Sequence, residues 1–207
     1  MNFPRILKKR KGYIDRIKPF LQKSVAKVLT GQRRVGKSFL LYQLIEEILA
    51  EAPDAKIIYV NLEAFTFSSL QTAEDLHSYI ISQSKEKLKN YIFIDEIQDI
   101  PGFEKVIRSL LLNEDNDIYI TGSNAKMLSG ELATYLSGRY IEFKIYSLSY
   151  SEFLEFHGLT ESETSYELYS RYGGLPYLLN LPLDDETVKE YLKSVYSTIV
   201  LREVVSR

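Results

Sequence analysis

Apolar positions along this chain follow two rhythms that take turns. Short, nearly unbroken apolar runs at 25–30, 57–60, 90–94 and 117–121, and a strictly alternating run at 140–145, read as β-strands. Between them, apolar residues return at helical spacing: Leu40, Leu41, Leu44, Ile45, Ile48 and Leu49, then Leu76, Tyr79 and Ile80 within a helix predicted over 72–87, then Phe103, Val106, Ile107, Leu110 and Leu111. Strand and helix in alternation predict an α/β fold, a parallel sheet flanked by helices. Residues 61–70 read as a loop holding Phe65 and Phe67. After about Ser149 the strand rhythm stops, and helices are predicted over 152–157, 161–172 and 184–205. A boundary near 146–149 follows, with an α/β core over 1–148 and a helical subdomain over 149–207. The chain has 207 residues, 45% of them hydrophobic, which suits one such domain and its appendage.

The join between the first strand and the first long helix carries the strongest chemical signal. Gly31-Gln32-Arg33-Arg34-Val35-Gly36-Lys37-Ser38 fits the phosphate-binding pattern G-x-x-x-x-G-K-[ST] in its required strand–loop–helix setting. Such a loop aims backbone N–H groups and a helix N-terminus at an anion. Lys37 can reach the β- and γ-phosphates of a nucleotide, and the Ser38 hydroxyl can ligate Mg²⁺. The candidate nucleotide-binding set is therefore Gly31 to Ser38 with Phe39 beside it. Within it, Arg33 and Arg34 read first as packing or partner contacts, because side chains there usually point away from the phosphates.

The strand 90–96 ends in two carboxylates, Asp95 and Glu96. Ligands of open α/β sheets sit beyond the carboxyl ends of the strands. Asp95 is thus placed to hold the Mg²⁺ shell with Ser38, and Glu96 to orient or deprotonate an attacking water. The bland alternative, a solvated turn, loses ground beside a phosphate loop. The acid pair favours a hydrolysing ATPase over a GTPase, and no Asn-Lys-x-Asp guanine-reading motif occurs. The expected cofactors are ATP and Mg²⁺.

Charge adds a question about partners. Net charge is −2, yet residues 1–37 hold 12 Lys/Arg against one acid, Asp15. The densest cluster is Lys8-Lys9-Arg10-Lys11. A nucleic-acid or acidic-protein contact and a solvated, internally neutralised arm are both open readings. There is no cysteine, so neither a disulfide framework nor a thiolate metal site arises. The amino end shows no apolar signal-peptide core, and no run approaches the ~18 apolar residues of a membrane helix. A cytoplasmic protein without membrane contact is expected. His77 and His157 have no metal-ligand partner at useful spacing and read as surface or packing residues.

Five motifs occur together in order: the phosphate loop, Ile94-Asp95-Glu96-Ile97-Gln98, Ile120-Thr121-Gly122-Ser123-Asn124, Ser137-Gly138-Arg139, and Leu148-Ser149-Tyr150-Ser151-Glu152-Phe153. In this the chain resembles the AAA+-like ATPases of bacteria and archaea often called archaeal-type ATPases, from about Arg10 onward. The resemblance implies a P-loop NTPase sheet of order 5-1-4-3-2, ATP with Mg²⁺, and a helical lid after the sheet. It implies that Asn124 or Ser123 faces the γ-phosphate. Arg139 would meet charge on the transferring phosphoryl group in its own or a neighbouring subunit, or else serve a helix C-terminus as a simple cation. Pro176, in Tyr172-Gly173-Gly174-Leu175-Pro176, would lie near the adenine side. Family members usually continue into winged-helix-like and nuclease-like regions. This chain stops at Arg207 in a helical pattern without a cap signal, so either a short natural protein or an excised module is expected. The expected function is ATP hydrolysis as a conformational switch, with a homo-oligomer as an open reading of its assembly. The alternatives are a non-catalytic, ATP-gated binding module and an ATPase acting on nucleic acid through a further domain.

Overall fold

The computed structural model describes residues 8–122, 135, 136 and 138–200. Two compact units divide the chain: Met1–Gly31 with Lys37–Lys144, and Gln32–Gly36 with Ile145–Arg207.

The first unit is built on a five-stranded parallel sheet. Its strands are β1 (Ala26–Thr30), β2 (Lys56–Asn61), β3 (Asn90–Asp95), β4 (Asn116–Gly122) and β5 (Tyr140–Lys144). They lie in the order β2-β3-β4-β1-β5, which is the order 5-1-4-3-2. Every residue of β1, β3 and β4 is buried, as expected of strands covered on both faces. The edge strands are only partly buried, and β5 carries Glu142 and Lys144 on its exposed positions, charges that discourage further strand pairing. The helices are α1 (Lys11–Ile17), α2 (Lys37–Glu51), α3 (Ala73–Gln83) and α4 (Phe103–Leu110). Leu40, Leu41, Leu44, Ile45 and Ile48 of α2 are buried, as their spacing predicts. Leu76 and Ile80 of α3 join Phe103, Val106, Ile107 and Leu110 of α4 in one core with the apolar residues of the sheet.

Two elements differ from the sequence expectation, each for a local reason. Helix α3 starts on a capping box of Thr72 and Asp75 but ends at Gln83, short of the predicted Lys87. The Asn90 side chain accepts a hydrogen bond from the Lys85 N–H (2.8 Å) and donates to the Lys85 and Leu88 carbonyls (3.1 Å each), which turns the chain back into β3. Helix α1 occupies what reads in sequence as a basic arm. Ile14 and Ile17 are buried, and the Arg10 guanidinium lies 4.5 Å over the Tyr13 ring.

That docking pairs two of the amino-terminal lysines with acids. Lys9 reaches Glu47 at 2.9 Å and Glu46 at 3.8 Å, and Lys18 reaches Glu47 at 2.7 Å. These pairs join the amino-terminal segment to the outer face of α2. Lys27, on β1, is fully buried against Asp117 of β4. Asp117 also accepts from the Gln22 N–H (2.7 Å) and the Tyr119 hydroxyl (2.8 Å). Burial pulls the Lys27 ammonium below its ordinary range, and the Asp117 carboxylate opposes that pull.

The second unit contains α5 (Tyr150–His157), α6 (Glu163–Tyr172), a 3₁₀ turn at Pro176–Asn180 and α7 (Asp185–Val200). Capping boxes start α5 at Ser149 with Glu152, and α6 at Ser162 with Ser165. Tyr172, Leu178 and Val188 form its small core with Leu168, Leu175, Leu181, Leu183, Tyr191 and Leu192 around them. Gly174 admits no side chain, because a Cβ there would stand 2.2 Å from the Leu148 carbonyl oxygen. Its own carbonyl accepts from the Leu148 N–H at 2.7 Å.

Candidate nucleotide site

Strand β1 runs out at Thr30, and α2 begins at Lys37. Six residues, Gly31 to Gly36, lie between them. Gly36 adopts φ +93°, a conformation that favours glycine. Arg34 adopts φ +68° without being glycine, an arrangement that costs about 1–3 kcal/mol and must be held by its surroundings. Val35 is buried, and Gln32 and Arg34 are exposed. Within the second unit, the Arg34 guanidinium lies 5.8 Å over the Tyr191 ring, which stacks on Tyr177 at 5.1 Å. The same unit sets Pro176 beside the loop, its Cγ 3.7 Å from where a Cβ on Gly36 would stand.

The first unit gathers its own set of candidate groups. The Lys37 ammonium is buried, donates to the Gly31 carbonyl at 3.1 Å and lies 3.5 Å from Glu96 Oε1. Strands β1 and β3 are separated by β4, roughly 10 Å between axes, and the long Lys37 side chain spans that gap. Thr121 of β4 closes it from the middle. Its hydroxyl donates to the Asp95 carboxylate and accepts the Glu96 N–H at 3.0 Å. Asp95 is further bonded by the Ser38 hydroxyl and by the Tyr59 hydroxyl, the latter at 3.1 Å. Burial is the largest influence on Asp95 and raises its pKa above the ordinary carboxylate value, against the lowering effect of these hydroxyl donors.

Glu96 leaves β3 in the left-handed region, φ 57° and ψ 47°. The turn bends the chain into the 3₁₀ segment Ile97–Asp99 and returns the Gln98 side chain onto Glu96, where Gln98 Nε2 donates to Oε2 at 2.6 Å.

Asp95, Glu96, Lys37 and Ser38 thus converge at the carboxyl ends of β1 and β3. A hard divalent cation suits the oxygen donors Asp95 and Ser38. Among the described residues no group of three or more His, Cys, Asp or Glu could hold a metal by itself. Such a pair fits an ion like Mg²⁺ that keeps waters and phosphate oxygens as its other ligands.

Other candidates fall elsewhere. Ser123 and Asn124 lie outside the described residues. Arg139 is exposed just before β5, and its carbonyl accepts from the Ala26 N–H at 2.9 Å. Phe39 is 47% exposed on the first turn of α2, edge-on to Tyr42 at 5.9 Å. His77 meets the Ser109 hydroxyl at 3.1 Å, and His157 packs on the Phe153 ring at 4.3 Å. Three residues now at the site carried no assigned chemical role in the sequence: Thr121 and Gln98, although both stand inside the motifs, and Tyr59. Thr121 does leave a signal, a hydroxyl ending an apolar strand, but Tyr59 and Gln98 approach through sheet pairing and a turn that no spacing rule reveals.

A parallel sheet of this order with a phosphate loop after β1 and acids after β3 defines a P-loop NTPase of the AAA+ class. The chain belongs to the AAA domain family, whose model matches residues 23–154. It is similar to an uncharacterized protein of Haemophilus influenzae, 38% identical over 96% of this chain and 50% of the relative. A second uncharacterized protein, from Methanocaldococcus jannaschii, is 32% identical over 87% of this chain and 42% of its own length. The chain therefore spans about half the length of these curated relatives or less. Among solved structures, the ORC1 protein of Aeropyrum pernix, in complex with DNA, matches with TM-score 0.59 at 15% identity, over 95% of this chain and 66% of that one. Hsp104 of Saccharomyces cerevisiae, in complex with casein, matches with TM-score 0.58 at 14% identity, over 97% of this chain and 39% of that one. At such identities these likenesses establish the fold. Among the described residues no helix is long and apolar enough to cross a membrane.

Proposed function

We propose that the chain binds ATP with Mg²⁺ on the loop 31–38 and hydrolyses it as a conformational switch. The observation that carries this reading is the convergence of Lys37 on Glu96, at 3.5 Å, beside the Ser38–Asp95 hydrogen bond. It gathers a buried ammonium, a hydroxyl–carboxylate pair and a second carboxylate at one end of the sheet, which supports their reading as phosphate, metal and water contacts. Lys37 meets the β- and γ-phosphate oxygens in charge-assisted contacts. Ser38 and Asp95 hold Mg²⁺, which when bound neutralises charge on those phosphates. Glu96 accepts a proton from the attacking water as general base, and Thr121 keeps the Glu96 backbone in place. Residues 1–148 serve as the ATPase core and 149–207 as a helical lid subdomain, with Pro176 as the candidate adenine contact.

Arg139, exposed just before β5, is the candidate to meet the transferring phosphoryl group in its own copy or, in a homo-oligomer, in a neighbouring one. The pairing of Lys9 and Lys18 with α2 weakens the case for a nucleic-acid groove built on the amino-terminal segment. A partner protein or nucleic acid would then be engaged by other parts of the whole protein.

The test separates binding from chemistry. Lys37→Ala is expected to lose tight ATP binding by calorimetry. Glu96→Gln is expected to retain binding and to lose turnover by a factor on the order of 100 or more. Turnover of Glu96→Gln at the wild-type rate would overturn the assignment of the base, and Lys37→Ala binding ATP normally would overturn the site.

A further inference from the structure

Glu96 has two carboxylate oxygens, and the structure uses them differently. Oε1 faces the Lys37 ammonium at 3.5 Å, and Oε2 accepts the Gln98 amide at 2.6 Å. Both Glu96 and Gln98 are buried, at 7% and 8% exposure, so water competes little for this hydrogen bond. The backbone places the two groups together at some cost: Glu96 sits at φ 57°, and the Asp99 N–H closes the following turn on the Glu96 carbonyl at 3.1 Å. A glutamate side chain has three rotatable bonds, and a base that wanders among rotamers spends little time in line with its water. A donor fixed on one oxygen removes that freedom and leaves the other oxygen directed toward the phosphate-binding lysine.

We infer that Gln98 is a positioning residue for hydrolysis: it ties back Oε2 of Glu96 so that Oε1 is presented to the attacking water on the Lys37 side. The inference rests on the reading of Glu96 as the water-activating group. Gln98 touches neither nucleotide nor water in this role. Its effect passes through Glu96, and that makes it separable from a structural role. Removing the amide should lower kcat while leaving nucleotide affinity and KM in place, because the loss falls only on the chemical step. The loss should also vanish once Glu96 can no longer act as base.

The experiment measures kcat, KM and thermal midpoint for wild type, Gln98→Met, Gln98→Asn, Glu96→Gln and the double variant Glu96→Gln with Gln98→Met. Methionine matches glutamine in length and shape but donates nothing. Asparagine keeps the donor but sets it one methylene short, and it serves if the methionine variant does not fold. The expected result is a fall in kcat on the order of tenfold for Gln98→Met or Gln98→Asn, with KM within about twofold of wild type. No further fall is expected when Gln98→Met is added to Glu96→Gln. Wild-type kcat in the Gln98 variants, an equal proportional loss in the Glu96→Gln background, or a loss that appears in KM would each overturn the positioning role. A Glu96→Gln variant as fast as wild type would instead overturn the assignment of the base, and the inference with it.

Discussion

The Lys37 ammonium lies 3.5 Å from the Glu96 carboxylate, and both side chains are almost wholly buried, at 3% and 9% exposure. In the ligand-free state each neutralises the other. A buried charge deprived of its partner is costly even when other hydrogen bonds remain. Lys37→Ala is therefore expected to destabilise the fold by about 1–3 kcal/mol, since Glu96 loses its cation and, among the described residues, retains the Gln98 amide. Adding Glu96→Gln should recover part of that loss. Urea denaturation of the two variants and wild type checks this, and a destabilisation unchanged by the second substitution would show that the pair does not matter to stability.

Asp95 gives a pH signature of opposite sign to the usual surface carboxylate. Burial raises its folded pKa, so between the unfolded and folded values the folded state holds the proton that the unfolded state has lost. Stability thus falls as pH climbs through that window, and the full penalty stands above it. Asp95→Asn removes the penalty. It is expected to raise the thermal midpoint at neutral pH and to flatten the pH dependence in the window. It should also reduce the gain in ATP affinity that Mg²⁺ provides, by removing a proposed cation ligand. A lower midpoint at neutral pH would mean that the hydroxyl contacts from Thr121, Ser38 and Tyr59 outweigh desolvation.

At the opposite end of the sheet, Lys27 and Asp117 form an ion pair with both side chains at 0% exposure. Asp117→Ala strands the ammonium and two further donors, the Gln22 N–H and the Tyr119 hydroxyl. A loss of about 3–5 kcal/mol is expected. The double variant Lys27→Met with Asp117→Leu removes the stranded charge and should recover more than half of it. Chemical denaturation reads both, with nucleotide binding as a control on the intact loop.

For Arg139, the exposed side chain predicts action between subunits. Arg139→Ala should lower turnover by a factor on the order of 10³ with little change in ATP affinity, as removal of a transition-state cation does. Specific activity of wild type should rise with protein concentration. Mixing Arg139→Ala with Lys37→Ala chains should restore part of the activity, because mixed assemblies contain one intact site. A flat concentration dependence and a silent mixture would place the arginine in its own subunit.

The local pattern of residues was sufficient for the sheet strands, the phosphate loop, α2 and the carboxylates after β3, since each rests on a short-range rule: two-sided burial, 3.6-residue spacing, or a loop motif between strand and helix. Helix α1 escaped because its stripe is short and sits among lysines, and only docking on α2 pairs Lys9 and Lys18 with Glu46 and Glu47. The end of α3 escaped because the Asn90 amide, five residues beyond Lys85, holds the turn. Lys27 reads in sequence as a charged position within the strand 25–30, and its burial depends on Asp117, ninety positions away. At the site the same division holds. The motif named Asp95, Glu96, Lys37 and Ser38, but their support from Thr121, Tyr59 and Gln98 depends on strands β2, β3 and β4 lying side by side and on a left-handed turn at Glu96. Periodicity and motifs report on neighbours along the chain. Which buried hydroxyl or amide satisfies a distant carboxylate is decided only when the strands pair.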